Sequence, residues 1–121
     1  MTAPIFEVVA ADDAVRAVLG SSPVRFYPFG MAPQNGSLPY AVWQVVGGSP
    51  ENYLAGRPDV DGFTLQVDAY GADPLATRRI VEVLRDSIEL HANITLWLGE
   101  SQDPATKRWR SVFRLDWITQ R

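Results

Sequence analysis

Two strongly patterned segments, Leu38–Val46 and Phe63–Tyr70, predict two β-strands near the middle of the chain. In the second segment apolar and polar residues alternate, which is typical of a strand with one face on a core and the other on a wetter surface. The first segment is rich in β-branched and aromatic residues, and Pro39 is tolerable only at the start of such a strand. The pattern therefore predicts a sheet with one apolar face and one polar face.

Three further segments have the residue spacing of helices. Pro4 suits the first turn of a short helix whose apolar residues recur at helical intervals. Asp12 and Asp13 can cap a second short helix, which Gly20 ends. The strongest helix is predicted over Pro74–Leu90, where an Asp-Pro start supplies a cap and a first-turn proline and the apolar residues form one stripe.

Three more strands are predicted at Val24–Tyr27, Ile94–Ser101 and Arg108–Thr119. A turn of Asp-Pro type at 103–107 joins the last two strands as a hairpin. The whole chain therefore has the order α-α-β-β-β-α-β-β. We expect an α+β fold forming a single domain over 1–121. Its mostly antiparallel sheet of about five strands packs against one main helix, and a helical segment begins the chain.

Charged residues of both signs fall on the sheet face that points away from the main helix. The alternation places Asp68, Arg110, Arg114 and Asp116 on this face. Mixed charge on a sheet face is compatible with plain solvent exposure or with a polar contact between subunits. We therefore regard these four residues as a possible polar contact surface.

A long connection, Gly47–Asp59, joins the two central strands where two residues would suffice. Loops of this length inside compact domains are uncommon and are usually functional or disordered. This 47–59 arm carries apolar and aromatic groups together with an arginine, which are the residue types that interface hot spots favour. We expect the arm to contact another chain, and the alternative is a surface loop without a partner. The candidate contact residues are Glu51, Asn52, Tyr53, Leu54 and Arg57.

The composition is that of an ordinary globular chain of 121 residues, with 46% hydrophobic and 21% charged residues. A net charge of −3 argues against a sequence-independent grip on nucleic-acid phosphates, which needs a basic footprint. The tryptophans lie in predicted strands, where aromatic residues usually supply core or interface mass. The chain has no cysteine, which excludes a disulfide scaffold and thiolate metal sites. It has no signal-peptide pattern and no apolar stretch long enough for a bilayer, so the expected location is the cytoplasm of the cell that makes it.

The sequence offers little for catalysis or for binding metals and cofactors. His91 is the single histidine and has no nucleophile at a recognised spacing, so we expect a structural role for it. The carboxylate pairs Asp12-Asp13 and Asp59-Asp61 are explained by helix capping and by turn formation. The glycine-rich positions lack the lysine and the helix start that a phosphate loop needs. We therefore expect no catalytic residue, no cofactor and no metal site.

Six features of the chain occur in a recognisable order. They are a helical start ending in Leu19-Gly20, the strand Val24–Tyr27 running into Pro28, the block Leu38–Arg57, the strand Phe63–Tyr70, the helix after Asp73, and a final hairpin ending in Phe113–Trp117. In this order they resemble the tail-completion or tail-terminator proteins of long-tailed bacteriophages and prophages. The resemblance covers nearly the whole chain, and its most specific part is the block Leu38–Arg57.

The resemblance implies a structural role without a chemical step or a cofactor. Such proteins form a hexameric ring on the head-proximal end of the tail tube, where the ring stops tube polymerisation. The implied partners are further copies of the chain, the major tail tube protein and a head connector or stopper protein. DNA passes through the opening without specific binding. The implied location is the tail–head junction of a virion, after assembly in the host bacterial cytoplasm.

Three alternatives remain open on the sequence alone. Another head–tail neck component, such as a head-completion or stopper protein, would bind heads rather than tubes. A small oligomeric α+β ligand-binding protein or enzyme predicts a concave pocket with convergent carboxylates. A nucleic-acid-binding module predicts DNA affinity that falls steeply with salt.

Overall fold

The computed structural model of the protein describes residues 3–21, 23–33, 36–51 and 60–120. Its elements follow the predicted order, and the predicted α+β class is confirmed. In chain order the elements are α1 (Ile5–Ala10), α2 (Asp13–Leu19), β1 (Phe26–Pro28), β2 (Tyr40–Glu51), β3 (Val60–Gly71), α3 (Pro74–Ile88), β4 (Asn93–Gln102) and β5 (Trp109–Gln120).

The strands form one five-stranded sheet in the order β1-β2-β3-β5-β4. β1 pairs with β2 in parallel, and the other three pairings are antiparallel, so the prediction of a mostly antiparallel sheet is confirmed. β1 is short and pairs only with residues 41–43 of β2. The sheet therefore has β4 at one edge, and β1 with the rest of β2 at the other.

The structure corrects the predicted boundaries of the two central strands. β2 continues to Glu51 and β3 begins at Val60, and these two residues face each other across the ladder. The prediction of a connection over Gly47–Asp59 is therefore wrong for its first five residues, which belong to β2. The segment between the strands is 52–59, which lies outside the described residues.

Two features explain why β2 continues through a segment rich in glycine and proline. A register shift between Val45 and Gly47 absorbs the irregularity as a bulge. Pro50 has no N–H to donate to a neighbouring strand. In the described part of the chain no strand pairs with the outer side of β2 at Pro50, so proline is tolerated there.

Other boundaries differ from the prediction by one or two residues: β1 runs from Phe26 to Pro28 rather than from Val24 to Tyr27, and α3 ends at Ile88 rather than at Leu90. The ends of β4 and β5 are each shifted by one residue.

α3 packs across the apolar face of the sheet and covers most of the core. Its first turn is fixed by Asp73, whose Oδ1 accepts a hydrogen bond from the backbone N–H of Ala76 at 2.8 Å. This turn lies very close to the end of β3, because a Cβ on Gly71 would lie 2.4 Å from Oγ1 of Thr77. The buried stripe of α3 consists of Thr77, Ile80, Val83, Leu84, Ser87 and Ile88.

α1 and α2 pack against α3 and complete the helical layer. Oδ1 of Asp12 accepts a hydrogen bond from the N–H of Ala14 at 2.9 Å, so the predicted cap of α2 is confirmed. Gly20 ends α2 with a φ of 85°, a left-handed conformation that favours glycine. One hydrophobic core joins this layer to the inner face of the sheet. Its largest fully buried side chains include Phe26, Phe113, Ile5, Leu19, Leu65, Ile80 and Leu84.

Candidate assembly surfaces

The outer face of the sheet, opposite the helices, carries a continuous set of hydrogen bonds between β3 and β5. Oδ2 of Asp68 accepts two hydrogen bonds from Arg110, one from Nε at 3.0 Å and one from Nη2 at 2.6 Å. Oδ1 of Asp68 accepts from Nε2 of Gln66 at 3.1 Å. Oε1 of Gln66 in turn accepts from Nε of Arg114 at 3.2 Å. The polar face predicted from the alternation is therefore a connected network.

Burial is uneven along this outer face. The side chain of Asp68 is 13% exposed and that of Arg110 is 42% exposed, whereas Asp116 is exposed and accepts a hydrogen bond from Oγ1 of Thr64 at 3.0 Å. The hydrogen bonds to Asp68 raise the pKa of the Arg110 guanidinium, against the opposing effect of its burial. Asp68 and Arg110 form a hydrogen-bonded ion pair that links β3 to β5. A contact of these two residues, and of Arg114 and Asp116, with another subunit stays a prediction.

An aromatic cluster lies at one end of the outer face. The rings of Tyr40 and Tyr70 are stacked, with their centroids 4.9 Å apart. Nη1 of Arg108 donates a hydrogen bond to the hydroxyl of Tyr40 at 2.9 Å. Burial first, and then the negative charge of Asp68, raise the pKa of the Tyr70 phenol above its ordinary value. The Tyr70 hydroxyl therefore stays protonated at neutral pH.

A hollow of about 360 Å³ lies between this cluster and the turn at residues 29–32. Among its described lining residues, Asp68 is the single carboxylate, and it is already paired with Arg110. A set of convergent carboxylates, which the enzyme alternative predicts, is not formed by these described residues. The two charged residues described in the lining of the hollow, Asp68 and Arg110, are paired with each other.

The 47–59 arm is only partly described by the structure. Glu51 is the last residue of β2, and its backbone pairs with Val60. The other four candidate contact residues lie outside the described residues, and their contact role stays a prediction: Asn52, Tyr53, Leu54 and Arg57. The base of the arm is therefore a pair of hydrogen-bonded strands rather than the start of a loop.

Sequence reasoning missed an apolar strip on the edge strand β4. Leu96, Trp97 and Leu98 are consecutive, and they are 47%, 49% and 45% exposed. Two irregularities in the pairing with β5, between Ile94 and Leu96 and between Trp97 and Gly99, break the alternation of faces here. The available sequence signal is the uninterrupted apolar triplet itself, which alternation does not explain.

The opposite edge of the sheet also presents apolar side chains. Phe29 and Met31, in the turn after β1, are 71% and 69% exposed. Val45 and Val46 of β2 are 42% and 40% exposed. The backbone N–H of Phe29 donates to the carbonyl oxygen of Trp43 at 2.8 Å, so this turn is anchored to β2. Both edges of the sheet thus carry apolar groups at the surface.

The residues considered for chemistry have structural partners where they are described. The ring of His91 lies parallel to that of Trp117, with centroids 6.1 Å apart. Asp12 caps α2, Asp61 belongs to β3, and Asp59 lies outside the described residues. In the described ranges, His, Asp and Glu nowhere gather in a group of three that could hold a metal ion. None of the helices described is long and apolar enough to cross a membrane.

Comparison with known proteins gives matches of two kinds. The profile of a family described as "Tail completion protein gp17" matches residues 3–120. A chain in the solved structure titled "Virion of native gene transfer agent (GTA) particle" superposes with a TM-score of 0.64 and 13% sequence identity, covering 97% of this chain and 92% of that chain. At this identity the similarity shows a shared fold alone. No curated protein matches the sequence.

Proposed function

Because the chain belongs to the tail completion protein gp17 family, whose profile spans residues 3–120, we propose that it caps the tail tube of a phage-type virion. Copies of the chain form a ring on the head-proximal end of the tube, and the resemblance implies six copies. The ring ends tube polymerisation and presents a surface to the head connector or stopper protein. The observation that carries this proposal is the family match over nearly the whole chain.

Two further observations support a place at the tail–head junction. The fold is shared with a chain of a gene transfer agent virion, which favours a component of a phage-like particle. The chain has a net charge of −3, so a ring of copies would not hold DNA by its phosphates as DNA passes through. We propose that DNA crosses the opening without specific binding.

We also propose that the chain has no catalytic step. Three carboxylates among the described residues have structural partners: Asp68 pairs with Arg110, while Asp12 and Asp73 cap helices. Carboxylates engaged in this way stabilise the fold. This supports a protein whose function is contact with other chains.

Tube elongation tests the proposed function directly. Preformed tail tubes are incubated with the chain, and fluorescently labelled tube protein is then added. We expect the chain to co-sediment with the tubes and to stop label from adding at one end. If label adds at both ends at unchanged rates while the chain sediments with purified heads, the head-completion alternative is correct instead.

The 47–59 arm gives a second test. A Tyr53→Ala, Leu54→Ala double variant should stay folded and lose its ability to cap tubes, because interface anchors of this type carry much of the binding energy. A Leu75→Ala, Leu90→Ala double variant is the matched control, since both leucines are more than three-quarters exposed and lie outside the arm. Normal capping by the arm variant would show that the arm makes no essential contact.

A further inference from the structure

The sheet has two free edges that face in opposite directions. β4 forms one edge over its whole length, and only its pairing with β5 is formed among the described residues. At the other edge, β1 covers only residues 41–43, so β2 has no described neighbour on its outer side from residue 44 onward. Unpaired strand edges present N–H and C=O groups that another chain can pair with, and proteins usually protect them.

The β4 edge adjoins a socket that fits an apolar side chain. A cavity of about 280 Å³ lies between α3 and β4, and its walls include Val81, Trp97 and Gly99. A Cβ on Gly99 would meet no atom within 4 Å, so the space above this residue is open. Arg78 and Glu100 also line the socket, where Arg78 donates two hydrogen bonds to Glu100 at 2.9 and 3.0 Å. These two charges are therefore paired with each other.

The opposite edge carries groups that match this socket. Phe29 and Met31 project from a turn that is hydrogen-bonded to β2, and both are about 70% exposed. Large apolar side chains at such exposure are unfavourable in water and mark interaction sites when they gather with others. Val45 and Val46 continue the apolar surface along β2 beside them.

We propose that the β4 edge and its socket receive the opposite edge of a second copy of this chain, which carries Phe29, Met31, Val45 and Val46. The proposal rests on the proposed ring and identifies the surfaces that join its members. A contact between two different patches is heterologous, and repeated heterologous contacts generate a closed ring when the rotation closes. Each such contact covers one free edge of each type, so a closed ring leaves neither edge type open.

Cross-linking between single-cysteine variants tests this contact, because the chain has no natural cysteine. Phe29→Cys with a peptide tag and untagged Leu98→Cys are mixed, incubated with tail tubes and treated with a short-armed bismaleimide. Within one copy, residues at the two edges are separated by four strand spacings, about 19 Å. We expect the product that joins a tagged to an untagged copy to exceed clearly its statistical share, which is the fraction expected if the two variants cross-linked at random. A Leu90→Cys variant replaces Leu98→Cys as the control, because Leu90 lies off both edges and is more exposed than Leu98, at 78% against 45%.

The outcomes separate this inference from the proposed function. Selective cross-linking at capped tube ends supports both. If wild-type protein caps tubes and the mixed product stays at its statistical share, the edge contact is wrong and the proposed function stands. If the selective cross-linked product forms in solution and the tubes remain uncapped, the edge contact stands and the proposed function is wrong. If neither is observed, both are wrong.

Charge substitutions provide an independent readout. Phe29→Lys and Leu98→Lys each bring a charge into the proposed contact, and we expect each to raise the protein concentration needed for half-maximal capping by about tenfold or more. The control Leu90→Lys should leave that concentration unchanged. Thermal unfolding of each variant shows whether it remains folded. Unchanged capping by both edge variants would overturn the contact.

Discussion

The ion pair between Asp68 and Arg110 gives a quantitative test of how the outer face is built. Two substitutions remove the same pair from opposite sides: Asp68→Asn keeps the shape of the acid, and Arg110→Met keeps the aliphatic stem of the arginine. The carboxylate is mostly buried, whereas the guanidinium is nearly half exposed. Removing the acid leaves a cation that water can solvate, while removing the base leaves an anion that water reaches poorly. We therefore expect Arg110→Met to lower the free energy of unfolding more than Asp68→Asn does.

The magnitudes follow from exposure. An ion pair with one partner nearly half exposed contributes about 1 kcal/mol, which is the expected cost of Asp68→Asn. Leaving the buried carboxylate of Asp68 unpaired adds a desolvation penalty, so Arg110→Met should cost about 2–3 kcal/mol. With an unfolding entropy of about 2.1 cal/mol/K per residue over 121 residues, 1 kcal/mol corresponds to about 4 °C in Tm. The expected losses are thus about 4 °C for Asp68→Asn and 8–12 °C for Arg110→Met.

Urea unfolding and scanning calorimetry measure both costs. Arg114→Met is the matched control, because the hydrogen bond described for Arg114 goes to the neutral amide of Gln66. It should cost less than 1 kcal/mol, since a neutral partner gives a weaker hydrogen bond. If Asp68→Asn lowers the free energy of unfolding as much as Arg110→Met does, or more, then the burial of Asp68 does not set the size of the loss. Capping assays on the same variants show whether this face also contacts another subunit.

Three other substitutions have defined expectations. Gly71→Ala should destabilise the fold by about 1–3 kcal/mol in urea unfolding, because the added Cβ would lie 2.4 Å from Oγ1 of Thr77 and 2.9 Å from its backbone nitrogen. Asp73→Ala removes the side-chain cap of α3 and should cost about 1 kcal/mol in the same assay. Arg78→Gln should raise the pKa of Glu100 towards its ordinary value near 4.5 in an NMR titration, because the hydrogen bond from Arg78 lowers it in the native chain.

The last of these substitutions also predicts a pH dependence. Because the folded-state pKa of Glu100 is lowered, the stabilisation from its pair with Arg78 is present above the ordinary carboxyl pKa and is lost as the pH falls through the folded-state value. In acid the native protein should therefore lose the stabilisation that comes from the pair of Glu100 with Arg78. The Arg78→Gln variant lacks this pair and should show no such loss. Parallel pH–stability curves for the two proteins would contradict this assignment, and so would an unchanged Glu100 titration.

The parts of the fold that the sequence predicted are those set by neighbours along the chain. The cap at Asp12 and the stop at Gly20 need only a few adjacent residues, and both appear as expected. The alternation in β3 assigned Asp68 to the polar face correctly for the same reason. The strand through Pro50 was not predicted, because whether proline is tolerated depends on which side of the strand is open.

The candidate surfaces were predicted less well, because they depend on strand order. Sequence pattern showed β4 to be a strand but not an edge, and only the order β1-β2-β3-β5-β4 leaves Leu96, Trp97 and Leu98 at the surface. The exposure of Phe29 likewise depends on how the turn after β1 is fastened to β2. Whether apolar residues at these positions are buried or exposed depends on the long-range pairing of the strands.

Electron microscopy of the purified chain mixed with tail tubes would show whether the chain caps the tube as a ring. We expect extra density in the form of a ring at one end of each tube, with the other end and the tube walls bare. Bare tubes, or density spread along the walls and on both ends alike, would contradict this expectation.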